Sequence, residues 1–197
     1  MIFSVYGVAI GKKILIAMLD NIHFKKEKQL RTTQTISNQK HIKKKNLENK
    51  KTIWTQNANA DYWKEKSKFS GDVGKIYGVQ WRNFNGVDQL KNLIEGLKKN
   101  QNSRRHILNA WNPAELHVMS LPPCHAFSQF YVSNNKLSCQ LYQRSCDMFL
   151  GVPFNIASYS ILIHIIAKEC GYEVGEFVHS LGDFHIYEEQ FEQVKIQ

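Results

Sequence analysis

Residues 126–145 read AFSQFYVSNNKLSCQLYQRS. Two strand-like runs flank Ser133–Asn134–Asn135, a hairpin signal because Asn tolerates the backbone angles that tight turns demand. In the second run Leu137, Cys139 and Leu141 fall on one face, with Ser138, Gln140, Tyr142 and Arg144 on the other. That alternation predicts a half-buried strand, with Cys139 in a core and Arg144 on a polar face.

Working outward, Pro153 suits a helix start, and Asn155 to Cys170 is apolar nearly all round until Gly171. A helix apolar on every side belongs at the centre of a domain. Upstream, VDQLKNLIEGLKKN places Val87, Leu90, Leu93, Ile94 and Leu97 at helical spacing, with lysines opposite. HILNAW, residues 106–111, reads as a buried strand stopped by Asn112–Pro113.

The chain has 197 residues, enough for one domain with a sizeable core, and a net charge of +9. The basicity is local. Between Lys12 and Lys51 lie 12 of the 26 Lys/Arg and 3 of the 17 Asp/Glu, so the remainder carries 14 of each sign. This Lys/Asn/Gln-rich stretch has few large apolar residues to bury and reads as loosely ordered. No aromatic residue interleaves its lysines beyond Phe24, which argues against a stacking platform for nucleic acid. Lys12–Lys13 interrupt the apolar start, so neither a membrane span nor an export signal is expected. The four cysteines form no CxxC pair and no metal-type spacing, which predicts free thiols in a reducing, cytoplasmic setting and no metal.

Candidate chemistry starts at Cys124–His125, directly behind Pro122–Pro123. A lone Cys is usually a small core hydrophobe, so its neighbours decide. Arg144, Ser145, Cys146 and Asp147 cluster at the end of one strand; Gly151 and Asn155 follow at the mouth of the apolar helix. Arg104–Arg105 precede another strand, and His185 and Tyr187 fall on one side of an extended stretch. Singly, each has an ordinary explanation: a solvated loop, a satisfied core histidine, a helix cap. Together they form a set. Arginines bind phosphate through forked, charge-assisted hydrogen bonds. His185 and Tyr187 suit a sugar hydroxyl, and the Asn155 amide matches a uracil edge. Arg144, if close, would lower the Cys124 thiol pKa.

GDVGKIYGVQWRNF (71–84), NSRRHILNAWNP (102–113), LPPCHAFSQFYV (121–132), LSCQLYQRSCDMFLGVPFNIASYS (137–160) and GDFHIY (182–187) resemble thymidylate synthase, block after block and in that family's order. The resemblance covers roughly Thr52 to Gln197. It implies an α+β fold with a mixed β-sheet, a central buried helix and a sheet-to-sheet homodimer. It implies reductive methylation of dUMP to dTMP with 5,10-methylenetetrahydrofolate as co-substrate. Cys124 resembles the nucleophile that adds to C6 of the uracil ring. Arg144 and Ser145 match phosphate-binding positions, while Arg104 and Arg105 resemble the pair that reaches the neighbouring subunit's nucleotide. Asn155 matches the base-reading amide, and His185 and Tyr187, with Ile186 between them, match the ribose contacts. Cys146 falls within the substrate-binding run, although its own pattern is that of a structural cysteine. Asp147 matches a position touching nucleotide and folate, and Gly151 one of close approach to the ligand. Trp54, Tyr77 and His125 resemble residues of the site wall. An amide at 155 favours dUMP over dCMP; a dUMP hydroxymethylase would share it.

Three family features lack a counterpart: an early arginine loop, a helix bearing a catalytic glutamate, and the family's C-terminal segment. Glu48 has no apolar helix around it. MIFSVYG resembles the family's early strand, so residues 12–51 read either as a shifted reading frame or as a genuine basic insertion tethering RNA. The expectation is a divergent segment at 1–51 and a C-terminally truncated domain at 52–197 of reduced activity. Alternatives are a non-catalytic remnant that binds dUMP or dimerises, and a basic RNA-associated module.

Overall fold

The computed structural model describes residues 60–65 and 74–196. In chain order these form α1 (Asp61–Lys64), α2 (Gly78–Arg82), α3 (Gln89–Lys99), β1 (Ile107–Asn109), β2 (His125–Ser133), β3 (Lys136–Asp147), α4 (Gly151–Cys170), β4 (Glu173–His185) and α5 (Phe191–Ile196). Trp54, Glu48 and the basic segment 1–51 lie outside the described residues.

The hairpin forms where the sequence places it. Asn134 and Asn135 both have positive φ, 49° and 61°. Two such residues in a row suit a tight turn whose twist agrees with that of its strands. β2 and β3 pair antiparallel from Ser133↔Lys136 back to His125↔Gln143. β1 adds antiparallel to β2, and β4 adds parallel to β3 after the crossover through α4. The sheet is therefore mixed, in the order β1-β2-β3-β4.

Two bulges interrupt this regularity. Between His125 and Phe127 one extra β2 residue faces β3. Without it, the alternation that buries Ser128, Phe130 and Val132 would turn His125 outward; with it, His125 is buried. The second lies on β4 opposite Leu137–Cys139, where the Ser138 hydroxyl accepts the Glu176 N–H at 3.0 Å. Here the backbones are close: a Cβ on Gly175 would come within 2.3 Å of Ser138 Oγ and 2.8 Å of Leu137 O.

α4 lies across the sheet, burying Val152, Asn155, Ser158, Tyr159, Leu162, Ile163, Ile166 and Ala167. It starts at Gly151, so Pro153 sits in the first turn, where an N–H has no intrahelical partner to lose. Gly171, at φ 80°, ends it. α3 buries Leu90, Leu93, Ile94 and Leu97 as its spacing predicts. Val87 is the exception, at 48% exposed. Asp88 caps the helix by accepting the Lys91 N–H at 3.0 Å. Val87 therefore precedes the helix and pairs instead with Phe84. The predicted strand 106–111 narrows to the three residues of β1. Phe130, Leu141, Tyr159 and Phe177 join α3, α4 and the sheet in one core.

Candidate active site

Cys124 stands where Pro122–Pro123 feed into β2. Its N–H donates to Tyr77 Oη at 3.0 Å, and its carbonyl accepts the Arg144 N–H at 2.9 Å. The Arg144 guanidinium donates from Nε to Pro123 O at 2.9 Å and from Nη2 to Pro122 O at 2.8 Å. It also lies over the Trp111 ring, 5.2 Å from its centroid. The two proline carbonyls thereby aim the guanidinium, and Nη2 comes within 4.0 Å of Cys124 Sγ. That explains the proline pair: it is a rigid acceptor platform beside the thiol.

The thiol is not acidified as expected from Arg144 alone. Burial pushes its pKa up, whereas the Arg144 charge and hydrogen bonds with Tyr77 and Ser145 pull it down; burial prevails and the net shift is upward. Cys124 is only part-buried, so the group remains reachable.

Behind it, the bulge sets His125 against Tyr77, the rings stacked at 3.6 Å and 5° apart. Tyr77 has φ 29°, a region bulky side chains rarely occupy, so its ring placement is held at some backbone strain. His125 Nδ1 lies 2.9 Å from Tyr159 Oη, while its buried Nε2 has no partner. Burial, with His179 nearby, lowers the imidazole pKa to about 3, so the ring is neutral.

Asn155, on the first turns of α4, is buried with its Oδ1 accepting from Gln143 Nε2 at 3.0 Å. Gln143 Nε2 also donates to Ser145 O at 3.0 Å, and Gln143 Oε1 lies 2.9 Å from His179 Nε2. Asp147 Oδ1 accepts the N–H groups of Phe149 and Leu150 at 3.2 and 2.9 Å, turning the chain into α4. Its Oδ2 accepts from Gln190 Nε2 at 3.4 Å. A Cβ on Gly151 would come 3.3 Å from Asp147 Cβ and 3.9 Å from Asn155 Oδ1, so these three residues adjoin.

His185 pairs across the parallel register with Asp147. Its Nδ1 lies 2.7 Å from Asp183 Oδ1, and its ring meets Tyr187 edge-on at 4.9 Å. Burial raises the Tyr187 phenol pKa, and Asp147 and Cys124 add to this, which puts Tyr187 within electrostatic reach of both. Ile186 and Tyr187 are exposed. Cys146 is buried, its thiol 3.5 Å from Gln143 O.

Arg104 and Arg105 are not brought to Cys124. Both are exposed; Arg104 lines a hollow with Gln129 and Tyr131 on the outward face of the sheet, five or more residues along β2 from the thiol. Sequence reasoning missed Gln143, His179 and Asp183. For Gln143 a signal existed: continuing the Leu137, Cys139, Leu141 alternation by two residues places a polar amide on the core face.

A family model described as thymidylate synthase matches residues 27–197. The chain belongs to the thymidylate synthase family. It is 60% identical over 136 residues to a thymidylate synthase of Staphylococcus haemolyticus, a match covering 66% of this chain and 43% of that protein. It is 59% identical over 133 residues to a thymidylate synthase of Mycoplasma genitalium, covering 68% of this chain and 46% of the relative. The chain thus spans less than half the length of these thymidylate synthases. Among the described residues no group of three or more His, Cys, Asp or Glu is placed to hold a metal ion, and no helix is long and apolar enough to cross a membrane.

Proposed function

We propose that this chain binds dUMP and 5,10-methylenetetrahydrofolate and supplies the nucleophile for reductive methylation of dUMP to dTMP. The observation that carries the reading is the Cys124 thiol, within 4.0 Å of the Arg144 guanidinium, at the same end of the sheet as Asn155, Asp147, His185 and Tyr187. Arg144 and Ser145 hold the phosphate, Asn155 reads the base, and His185 and Tyr187 hold the ribose hydroxyl. Asp147 and Gly151 border nucleotide and folate, and Tyr77 and His125 form the wall behind the thiol.

The chemistry follows from the thiol. C5 of uracil is a poor nucleophile, and adding a thiolate at C6 moves the ring's π electrons onto C5 and O4. C5 then bonds to the methylene carbon as that carbon's bond to folate N10 breaks and N10 takes up a proton; C5 gives its own proton to solvent. The carbon's bond to N5 breaks next, leaving an exocyclic methylene on the ring, and a hydride passes to it from the folate's C6 as N5=C6 forms and Sγ leaves the pyrimidine, giving dTMP, dihydrofolate and a regenerated thiolate. Burial raises the free thiol's pKa above its ordinary 9.0, so the thiol must give up its proton for the addition to proceed.

The partner is a second copy of this chain. Phe127, Tyr131 and Tyr142 leave aromatic surface exposed on the sheet face away from α4, and Arg104 stands beside Tyr131 there. A copy seated on this face would bring Arg104 and Arg105 toward the other subunit's phosphate. Four free cysteines suit a reducing compartment, the cytoplasm.

Incubation with a 5-fluorinated dUMP analogue and methylenetetrahydrofolate tests the reading. A covalent adduct on the Cys124 peptide, seen by mass spectrometry, is expected. Nucleotide binding without an adduct would overturn turnover at Cys124, and no nucleotide binding would overturn the whole reading.

A further inference from the structure

We infer that His179 is a specificity-positioning residue: by clamping Gln143 it fixes which end of the Asn155 amide faces the base. The inference rests on the dUMP reading above and assigns how that site tells uracil from cytosine.

The argument is one of donors and acceptors. The Ser145 carbonyl can only accept, so the group 3.0 Å from it must be the NH₂ of Gln143. That places Gln143 Oε1, also acceptor-only, 2.9 Å from His179 Nε2, which must then carry the proton. The same Gln143 NH₂ donates to Asn155 Oδ1 at 3.0 Å. Asn155 Oδ1 is therefore committed to Gln143, which leaves the NH₂ as the end of the amide available to the base. That NH₂ meets the O4 carbonyl of uracil. The amino group of cytosine at that position would set donor against donor.

Burial makes this polarity consequential. Gln143 is 2% exposed and Asn155 8%, so neither amide can exchange an unsuitable partner for water. His179 comes from β4, whereas Gln143 belongs to β3 and Asn155 to α4, so the chain of bonds ties together all three elements of the crossover. Loss of the His179 proton donor leaves Ser145 O alone to hold Gln143. A carboxylate at 179 is worse, since acceptors would then claim the NH₂ from both sides and draw it off Asn155.

The test measures the Kd of dUMP and of dCMP by calorimetry for the full chain and for His179→Phe, His179→Glu and His179→Trp. Tryptophan is donor-only and should keep the wild-type preference. Phenylalanine should shrink the dCMP-to-dUMP Kd ratio by about fivefold to tenfold, the worth of one buried hydrogen bond, and Glu by more. An unchanged ratio in Phe and Glu variants that still bind dUMP overturns the inference and leaves the dUMP reading standing. Failure of the wild-type chain to bind dUMP overturns both. Independently of any variant, ¹⁵N NMR of the wild type should show His179 protonated at Nε2; a bare Nε2 overturns the inference.

Discussion

Arg144 spends two of its N–H groups on the carbonyls of Pro122 and Pro123 and still brings Nη2 within 4.0 Å of Cys124 Sγ. The guanidinium is therefore fixed before any ligand arrives, and its contact with the thiol needs no rearrangement. Its charge acts against burial without overcoming it, so the free thiol's pKa stays above its ordinary value.

Alkylation reads this balance directly. Only Cys124 and Cys170 are part-exposed, and burial pushes Cys170 to about 11. The iodoacetamide rate at Cys124, followed by mass spectrometry, should titrate with a midpoint above the ordinary 9.0, and Arg144→Gln should move it higher. Saturating dUMP should protect Cys124 and leave Cys170 unchanged. A midpoint below 9.0 would contradict the geometry.

Tyr77→Phe keeps a ring stacked on His125 but removes the acceptor for the Cys124 N–H. An unsatisfied part-buried N–H costs about 1–3 kcal/mol. Urea unfolding should register that loss, and the Cys124 alkylation midpoint should rise, since the Tyr77 hydrogen bond lowers it.

His125 predicts an acid sensitivity. Its pKa is about 3 folded against 6.5 for an ordinary imidazole. Between those values the unfolded chain binds the extra proton, so acid favours unfolding. The contribution is complete above pH 6.5 and is lost as pH falls toward 3, with a slope of at most about 1.4 kcal/mol per pH unit. His125→Gln should flatten the stability profile in that window.

Gly175→Ala tests the β4 bulge. The new Cβ would meet Leu137 O at 2.8 Å, and backbone cannot swing aside as a side chain can. A loss of about 1–3 kcal/mol is expected. Ser138→Gly in the same chain should restore little, because it removes only the Oγ contact.

The hairpin, both long helices and the core face of β3 were legible in the sequence, because each rests on local periodicity and turn chemistry. Asn134–Asn135 and the Leu90, Leu93, Ile94, Leu97 stripe are examples. The bulge at His125–Phe127 was not legible, since one extra residue leaves no trace in composition yet reverses which way His125 points. Val87 misled because it shares the apolar period of α3 while the Asp88 cap excludes it. Of the candidate site residues named from the sequence, Cys124, Arg144 and Tyr77 adjoin, as do Asp147, Gly151 and Asn155. Their coupling could not be read beforehand: that Gln143 joins β3, β4 and α4 depends on the register of a parallel pair, and that burial outweighs Arg144 at the thiol depends on depth within the fold.

The parallel joining of β3 to β4 also has a consequence in time. β2 and β3 meet through a two-residue turn, so Cys124 and Arg144 can find each other as soon as that ribbon closes. The strand bearing His185 must wait until the twenty-residue helix before it has been laid down. The contact of Cys124 with Arg144 is thus closed by local chain, whereas setting His185 beside Asp147 requires the longer crossover.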